Sequence, residues 1–260
     1  MTAEPTISPA GNGIQVIGRA GQILRALAEE RDGLGLSELA ARVALPRSTV
    51  YRILAALDTE GLVALTSPRG RYVLGPELIR LARTEHRELR AAARPLLELL
   101  SEQVNEAVDL SILIGARVAF IDHIEAPQSH SLRAVSAVGA SLPAHCTANG
   151  LALLAAHTDG QLMKVVPARL ARFTPSTMTT RSDLLEEIAR VRSDGYAIVR
   201  EEHTLGISAI GAAVHDGVTA VAAVSVPVPT PRFEGREQLF VAALLRTCGQ
   251  ISELLGPAWS

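Results

Sequence analysis

The run Pro46-Arg47-Ser48-Thr49-Val50-Tyr51-Arg52 gathers two guanidinium groups, two aliphatic hydroxyls and a phenol. Such groups hydrogen-bond phosphate oxygens and base edges in a duplex groove. Arg69 and Arg71 flank Gly70, a second basic point suited to the sugar-phosphate backbone. The chemistry indicated is non-covalent recognition of double-stranded DNA. Elsewhere the reactive residue types do not assemble into a catalytic pattern. Asp122-His123 with Glu125, Glu201-Glu202-His203 and His215-Asp216 place acids beside histidines, but none shows a metal-ligand spacing. His145 and Cys146 are neighbours, and adjacent residues on an extended segment point to opposite faces. No GxSxG, Walker or GxGxxG motif occurs. We therefore assign no catalytic residue, metal site or cofactor, and do not read the chain as an enzyme.

The elements around these residues support groove recognition. Ser37 stands at an N-cap position before Glu38, Leu39 and Ala40, and predicts a helix that ends near Leu45. Pro46 then suits the first turn of a second helix, because it has no amide hydrogen to donate. Val50, Ile53, Leu54 and Leu57 recur at i, i+3, i+4 and i+7, one buried stripe with the basic and hydroxyl residues opposite. Leu62–Leu65 and Arg71–Leu74 are β-prone runs joined by the turn-rich residues Thr66 to Gly70, a hairpin. Upstream, Ile17, Ile23, Leu24, Leu27 and Ala28 mark a supporting helix. Three helices and a basic hairpin make a winged helix-turn-helix.

Length and charge bound the remainder. The 260 residues suit two modest domains. Net charge is −2, so contact with DNA must be local rather than driven by a global field. Two distant cysteines, Cys146 and Cys248, fit a reducing cytoplasm, and neither a signal peptide nor a membrane span is expected. Residues 1–13 form a Pro- and Gly-rich tail, residues 14–75 the winged domain and residues 76–94 a linker helix. A second domain, residues 95–260, restarts helix at Pro95. It adds β-like runs at Ala107–Ile114, Val118–Ile124, Ala197–Val199, Ile207–Val214 and Ala220–Val228. Helical patterns intervene at Asn149–Ala156 and at Thr180–Asp194, the latter opened by the capping sequence Thr180-Arg181-Ser182-Asp183, and a last helix runs to Leu254. Strands without regular βαβ alternation predict α+β, a mixed sheet with packed helices.

The segment Leu45-Pro46-Arg47-Ser48-Thr49-Val50-Tyr51-Arg52 resembles the recognition helix of the IclR family of bacterial transcriptional regulators. Gly70-Arg71-Tyr72-Val73-Leu74-Gly75 resembles its second wing strand. Gly139-Ala140-Ser141-Leu142-Pro143-Ala144-His145-Cys146-Thr147-Ala148 and the stretch from Arg190 to Gly206 are similar to its effector-domain signatures. The resemblance implies a GAF-like effector-binding domain behind the linker helix, with Leu142, Ala148, Asn149, Ile207, Ala209 and Ser225 around a small metabolite.

This chain departs from family members that bind small keto acids: Val199 replaces an Asp, Ala209 a Cys, and Gly150-Leu151-Ala152 the usual Gly-Lys-Ala. The pocket is therefore expected to be less polar and to favour a small organic acid or aromatic metabolite. Its carboxylate would meet the amides near Ala148 and Asn149, with Ser225 opposite and Ile207 and Leu142 over the apolar part. The reading is a cytoplasmic, ligand-responsive repressor. It would bind a pseudo-palindromic operator as a homodimer or dimer of dimers, since one recognition helix reads one half-site. The alternative is a metabolite-binding protein or enzyme whose winged domain serves only dimerisation.

Overall fold

Apolar stripes at helical spacing and two short β-prone runs give the first unit its frame. The computed structural model describes residues 12–30, 32–66, 70–82, 86–127 and 138–256, and the chain divides into units 1–85 and 86–260. In the first unit α1 (Asn12–Ala28), α2 (Leu36–Arg42) and α3 (Arg47–Thr59) pack together. Ile23, Leu27, Leu39, Val50, Ile53, Leu54 and Leu57 share one core. Each such side chain contributes about 1.5–3 kcal/mol when fully buried. Ile17 and Ala28, expected in that packing, are exposed.

Two helix starts differ from the sequence reading. Helix α2 is capped by Gly35, not Ser37, and the Gly35 amide donates to Glu38 Oε2 at 2.8 Å. Strand pairing decides this: β1 (Leu34–Gly35) lies antiparallel to β3 (Arg71–Leu74), which holds Gly35 extended immediately before Leu36. The helix ends at Arg42, short of Leu45, because Ala44 turns left-handed at φ 52°. Pro46 is the N-cap of α3 rather than its first residue, and its carbonyl accepts from Thr49 and Val50. With β2 (Val63–Thr66) the sheet order is β1-β3-β2. Gly33 permits the tight approach under it: a Cβ there would stand 2.4 Å from the Tyr72 carbonyl oxygen.

Two helices stand where one linker helix is expected. α4 spans Pro76–Ala82, and α5 spans Arg87–Val104 with Pro95 inside it. An interior proline costs about 3 kcal/mol. Here Leu89 and Ala93 precede it, and Leu97, Leu100 and Val104 follow it, in one buried stripe. Packing on both sides carries the helix through.

The second unit is a six-stranded sheet in the order β6-β5-β4-β9-β8-β7. Its strands are β4 (Val108–Ile114), β5 (Arg117–Ile124), β6 (Ser141–Pro143), β7 (Ala197–Arg200), β8 (Ile207–Asp216) and β9 (Thr219–Pro229). Every pairing is antiparallel, so the sheet is not mixed in strand direction. One face packs against α5 and α10 (Glu237–Leu255). The other carries α6 (Ala148–Ala155) and α8 (Arg181–Asp194), with α7 (Asp159–Val165) joining their apolar cluster. Thr180 caps α8 as its sequence predicts, accepting from the Asp183 amide. A short α9 (Thr230–Phe233) follows β9. Among the described residues no helix is long and apolar enough to cross a membrane.

Candidate functional site

In the first unit the buried stripe of α3 dictates what remains outside. With Val50, Ile53, Leu54 and Leu57 turned inward, Pro46, Arg47, Ser48, Tyr51 and Arg52 are exposed and Thr49 is half-buried. Tyr51 is 56% exposed, unusual for a large ring that could otherwise pack. Neither Arg47 nor Arg52 forms an ion pair with any described residue, whereas Arg42 at the end of α2 is bound to Glu30. The N-terminal half of α3 thus presents two uncommitted guanidinium groups with hydroxyls between them. That is the arrangement by which a helix reads a major groove.

The hairpin behaves differently from its sequence reading. Arg69 lies outside the described residues. Arg71 turns inward: its guanidinium donates to the Gly33 carbonyl at 2.7 and 3.0 Å and pairs with Glu38 at 3.0 Å. The hydrogen bond from the Gly35 amide, together with Arg71, holds the Glu38 carboxyl below its usual range. Arg71 is therefore a clasp between the wing and the start of α2. We expect Arg71→Ala to lower stability by about 1–2 kcal/mol and to leave the salt dependence of DNA binding unchanged. A thermal melt paired with a salt titration checks both.

In the second unit, strand register gathers a polar row on the α6 face. His123 pairs with Asp109, Asp109 with Ser225, and Ser225 with Gly211, across β5, β4, β9 and β8. His123 Nδ1 and Asp109 Oδ1 are 2.7 Å apart. That hydrogen bond raises the His123 pKa against the opposing effect of burial, and the charges of Asp109, Glu125 and Asp122 add to it. The order is histidine, carboxylate, serine; a hydrolytic triad needs the imidazole in the middle, so Ser225 is not activated here. Asp122, its neighbour in sequence, serves the opposite face, where Arg94 holds it at 2.8 Å.

Helix α6 closes one end of this row. A Cβ on Gly211 would lie 2.5 Å from the Ala148 carbonyl carbon and 2.6 Å from the Asn149 nitrogen, so only glycine admits the helix start. Asn149 is buried and spent on structure: its Nδ2 donates to Ser111 Oγ at 2.8 Å, and its Oδ1 accepts from the Gly150 amide. Ala209 and Ile207 continue along β8 on the same face, opposite Pro227 and Pro229. Val199 pairs with Ala209 and is buried. Register and packing thus bring Ala148, Asn149, Ala209 and Ser225 onto one patch. Ile207 and Leu142 stand further out: Ile207 is four residues along β8 from Gly211, and Leu142 pairs with Val118, which pairs with Leu113, four residues along β4 from Asp109. At about 3.4 Å per residue that is roughly 14 Å.

Of the remaining acid and histidine clusters, the fold sets Glu202 within electrostatic reach of Cys146, and His203 within reach of His145. His145 is buried, with Nε2 3.0 Å from the Ala171 carbonyl oxygen, and burial lowers its pKa. Burial pushes the Cys146 thiol up to about 12, so it is no nucleophile at neutral pH. The Glu202 carboxyl is pushed up to about 7, also by burial. No group of three or more His, Cys, Asp or Glu capable of holding a metal occurs among the described residues. Asp109, Ser111, Phe120 and Gly211 escaped the sequence reading. Asp109 and Ser111 left a signal, polar residues alternating with Val108, Leu110 and Ile112 in a strand covered on both faces.

Known proteins share both units. Residues 16–66 match the IclR helix-turn-helix domain, and residues 81–253 match the family described as bacterial transcriptional regulator IclR C-terminal. The HTH-type transcriptional regulator Rv1719 of Mycobacterium tuberculosis is 48% identical over 245 residues, covering 94% of this chain and 93% of its own. TtgV of Pseudomonas putida, another HTH-type transcriptional regulator, is 34% identical over 256 residues, covering 98% and 97%. The crystal structure of an IclR homolog from Microbacterium hydrocarbonoxydans, complexed with 4-hydroxybenzoate, superimposes with a TM-score of 0.77 at 24% identity, covering 92% of this chain and 98% of that one. These relatives are regulators rather than enzymes, and the chain belongs to the IclR family of bacterial transcriptional regulators.

Proposed function

We propose that this regulator is a ligand-released repressor. Two copies place their α3 helices in successive major-groove turns of a pseudo-palindromic operator. A small organic acid bound on the α6 face of the sheet then lowers operator affinity. The observation that carries the reading is the exposed start of α3, with Arg47 and Arg52 free of ion pairs among the described residues. Arg47, Ser48 and Arg52 read bases or phosphates, Tyr51 packs on the backbone, and Pro46 and Thr49 set the helix start. On the second unit Ser225, Ala209 and Ile207 face the ligand, and the first amides of α6, at Ala148 and Asn149, take its carboxylate. Leu142, packed against the same apolar cluster as Ala148 and Ala209, covers the ligand's apolar part together with Ile207. The fold is compatible with such a ligand, since the Microbacterium homolog was crystallised with 4-hydroxybenzoate.

The ligand must bind the DNA-competent and DNA-incompetent states unequally, because equal affinity shifts nothing. The experiment is fluorescence anisotropy on DNA from upstream of the protein's own gene, with 4-hydroxybenzoate and related acids added. Run-off transcription on the same fragment gives the sign. We expect salt-sensitive binding, release by at least one acid, and transcription restored on release. Ser225→Leu is expected to raise the acid concentration needed for release at least tenfold, by filling the face beside α6. Release of that variant at the wild-type concentration would move the ligand elsewhere, and enhanced transcription by the bound protein would make it an activator.

A further inference from the structure

We propose that the His123–Asp109 pair is a second anchor in the effector site, selecting ligands with an anionic oxygen at the end remote from α6. The inference rests on the reading that the α6 face holds the effector, and it names that effector's class: a two-ended acid with an apolar middle.

The pair sits on the ligand-bearing face, not the opposite one. His123 is in register with Asp109, Asp109 with Ser225 and Ser225 with Gly211, and residues directly opposite one another share a face. The start of α6 lies on Gly211, at one end of the row. His123 lies at the other. Three strand spacings of about 4.8 Å separate the ends by roughly 14 Å. Allowing about 2.8 Å for a hydrogen bond at each end, roughly 8 Å remains between the terminal oxygens of a bound molecule. Beside the row the same face offers Ala209 and Pro227 on one flank and Phe120 on the other, which suit a ring or short hydrocarbon.

The dyad is built to donate outward. Asp109 is withdrawn from solvent, its side chain 2% exposed, while that of His123 is 16% exposed. With Nδ1 engaged by Asp109, Nε2 is the ring nitrogen that no other described residue engages, and in the imidazolium both nitrogens are donors. Among the described residues, the ionisable groups acting on the ring are Asp109 on β4, Asp122 on β5 and Glu125 just after it, and all favour the charged ring. Asp122 is itself held by Arg94. Helix α6, Ala148–Ala155, carries no ionisable side chain. An imidazolium at the end of a row with apolar flanks recognises a second carboxylate or a phenolate.

The sign with pH follows from the raised His123 pKa. The donor is fully charged at and below the ordinary histidine range, and the preference fades as pH rises through the elevated value. The test uses the full chain and two probes of matched shape, benzene-1,4-dicarboxylate and 4-methylbenzoate, titrated calorimetrically at pH 6 and pH 9. The proteins are the wild type, His123→Gln and Asp109→Asn. We expect the wild type at pH 6 to bind the dicarboxylate about tenfold or more tightly than the methyl compound. That ratio should shrink at pH 9 and fall towards one in His123→Gln, which is decisive by itself if Asp109→Asn misfolds.

A ratio unchanged in His123→Gln, no preference in the wild type, or no binding of either probe overturns the proposal. Operator anisotropy on the same samples separates the two readings. If the ratio behaves as expected but neither probe releases DNA, ligand-released repression falls and the anchor stands. If the ratio is absent or survives in His123→Gln while both probes release DNA, the anchor falls and repression stands.

Discussion

Alanine at Arg47 or Arg52 is expected to weaken operator binding by about 1–3 kcal/mol, and alanine at both to abolish it at physiological salt. The expectation follows from the burial pattern of α3. The stripe from Val50 to Leu57 fixes the rotation of the helix, and that rotation leaves both guanidinium groups outside. Neither supports the core, so the melting temperature should stay within a degree or two of wild type. The two arginines should also differ in kind. A base-edge contact loses discrimination at one position of the operator, whereas a phosphate contact weakens all sequences equally and lowers the salt slope by about one. Anisotropy across single-base operator variants and a salt series distinguishes them. Wild-type affinity in both single variants would mean that another surface reads the DNA.

Valine at Gly211 is expected to cost about 3 kcal/mol and to abolish any response to ligand. The neighbours a Cβ would meet are the backbone of Ala148 and Asn149, and backbone cannot swing aside as a side-chain end can. Helix α6 must lift, breaking the Asn149–Ser111 bond at 2.8 Å and turning its first amides away from the Ser225 row. Calorimetric unfolding should show the transition of the second unit moved down while that of the first stays in place. Wild-type melting would mean that α6 is not seated on the sheet at this residue.

What the sequence conveyed depended on how local the deciding force is. The stripe of α3 and the capping residue Thr180 are set by neighbours a few residues away, and each stands where its pattern puts it. Gly35 displaced Ser37 as the cap because β3, more than thirty residues downstream, pairs with β1. Pro95 read as a break, yet packing against the sheet carries α5 through it. Arg71 read as a wing tip, but its partners Gly33 and Glu38 are distant in sequence. The polar row is the extreme case: His123, Asp109, Ser225 and Gly211 meet only through the order of four strands. Asp122 and His123, adjacent in sequence, work on opposite faces.

The two thiols supply a native clock for the second unit. Cys146 lies in the layer over one face of the sheet and Cys248 in α10 over the other, both buried and both pushed up to about 12. Neither reacts with an alkylating reagent until its own layer opens, so each modification rate reports the opening free energy of one layer. The first unit contains no cysteine and stays silent. Mass-resolved alkylation with and without ligand therefore measures which side of the sheet an effector tightens, with no label added and no residue changed.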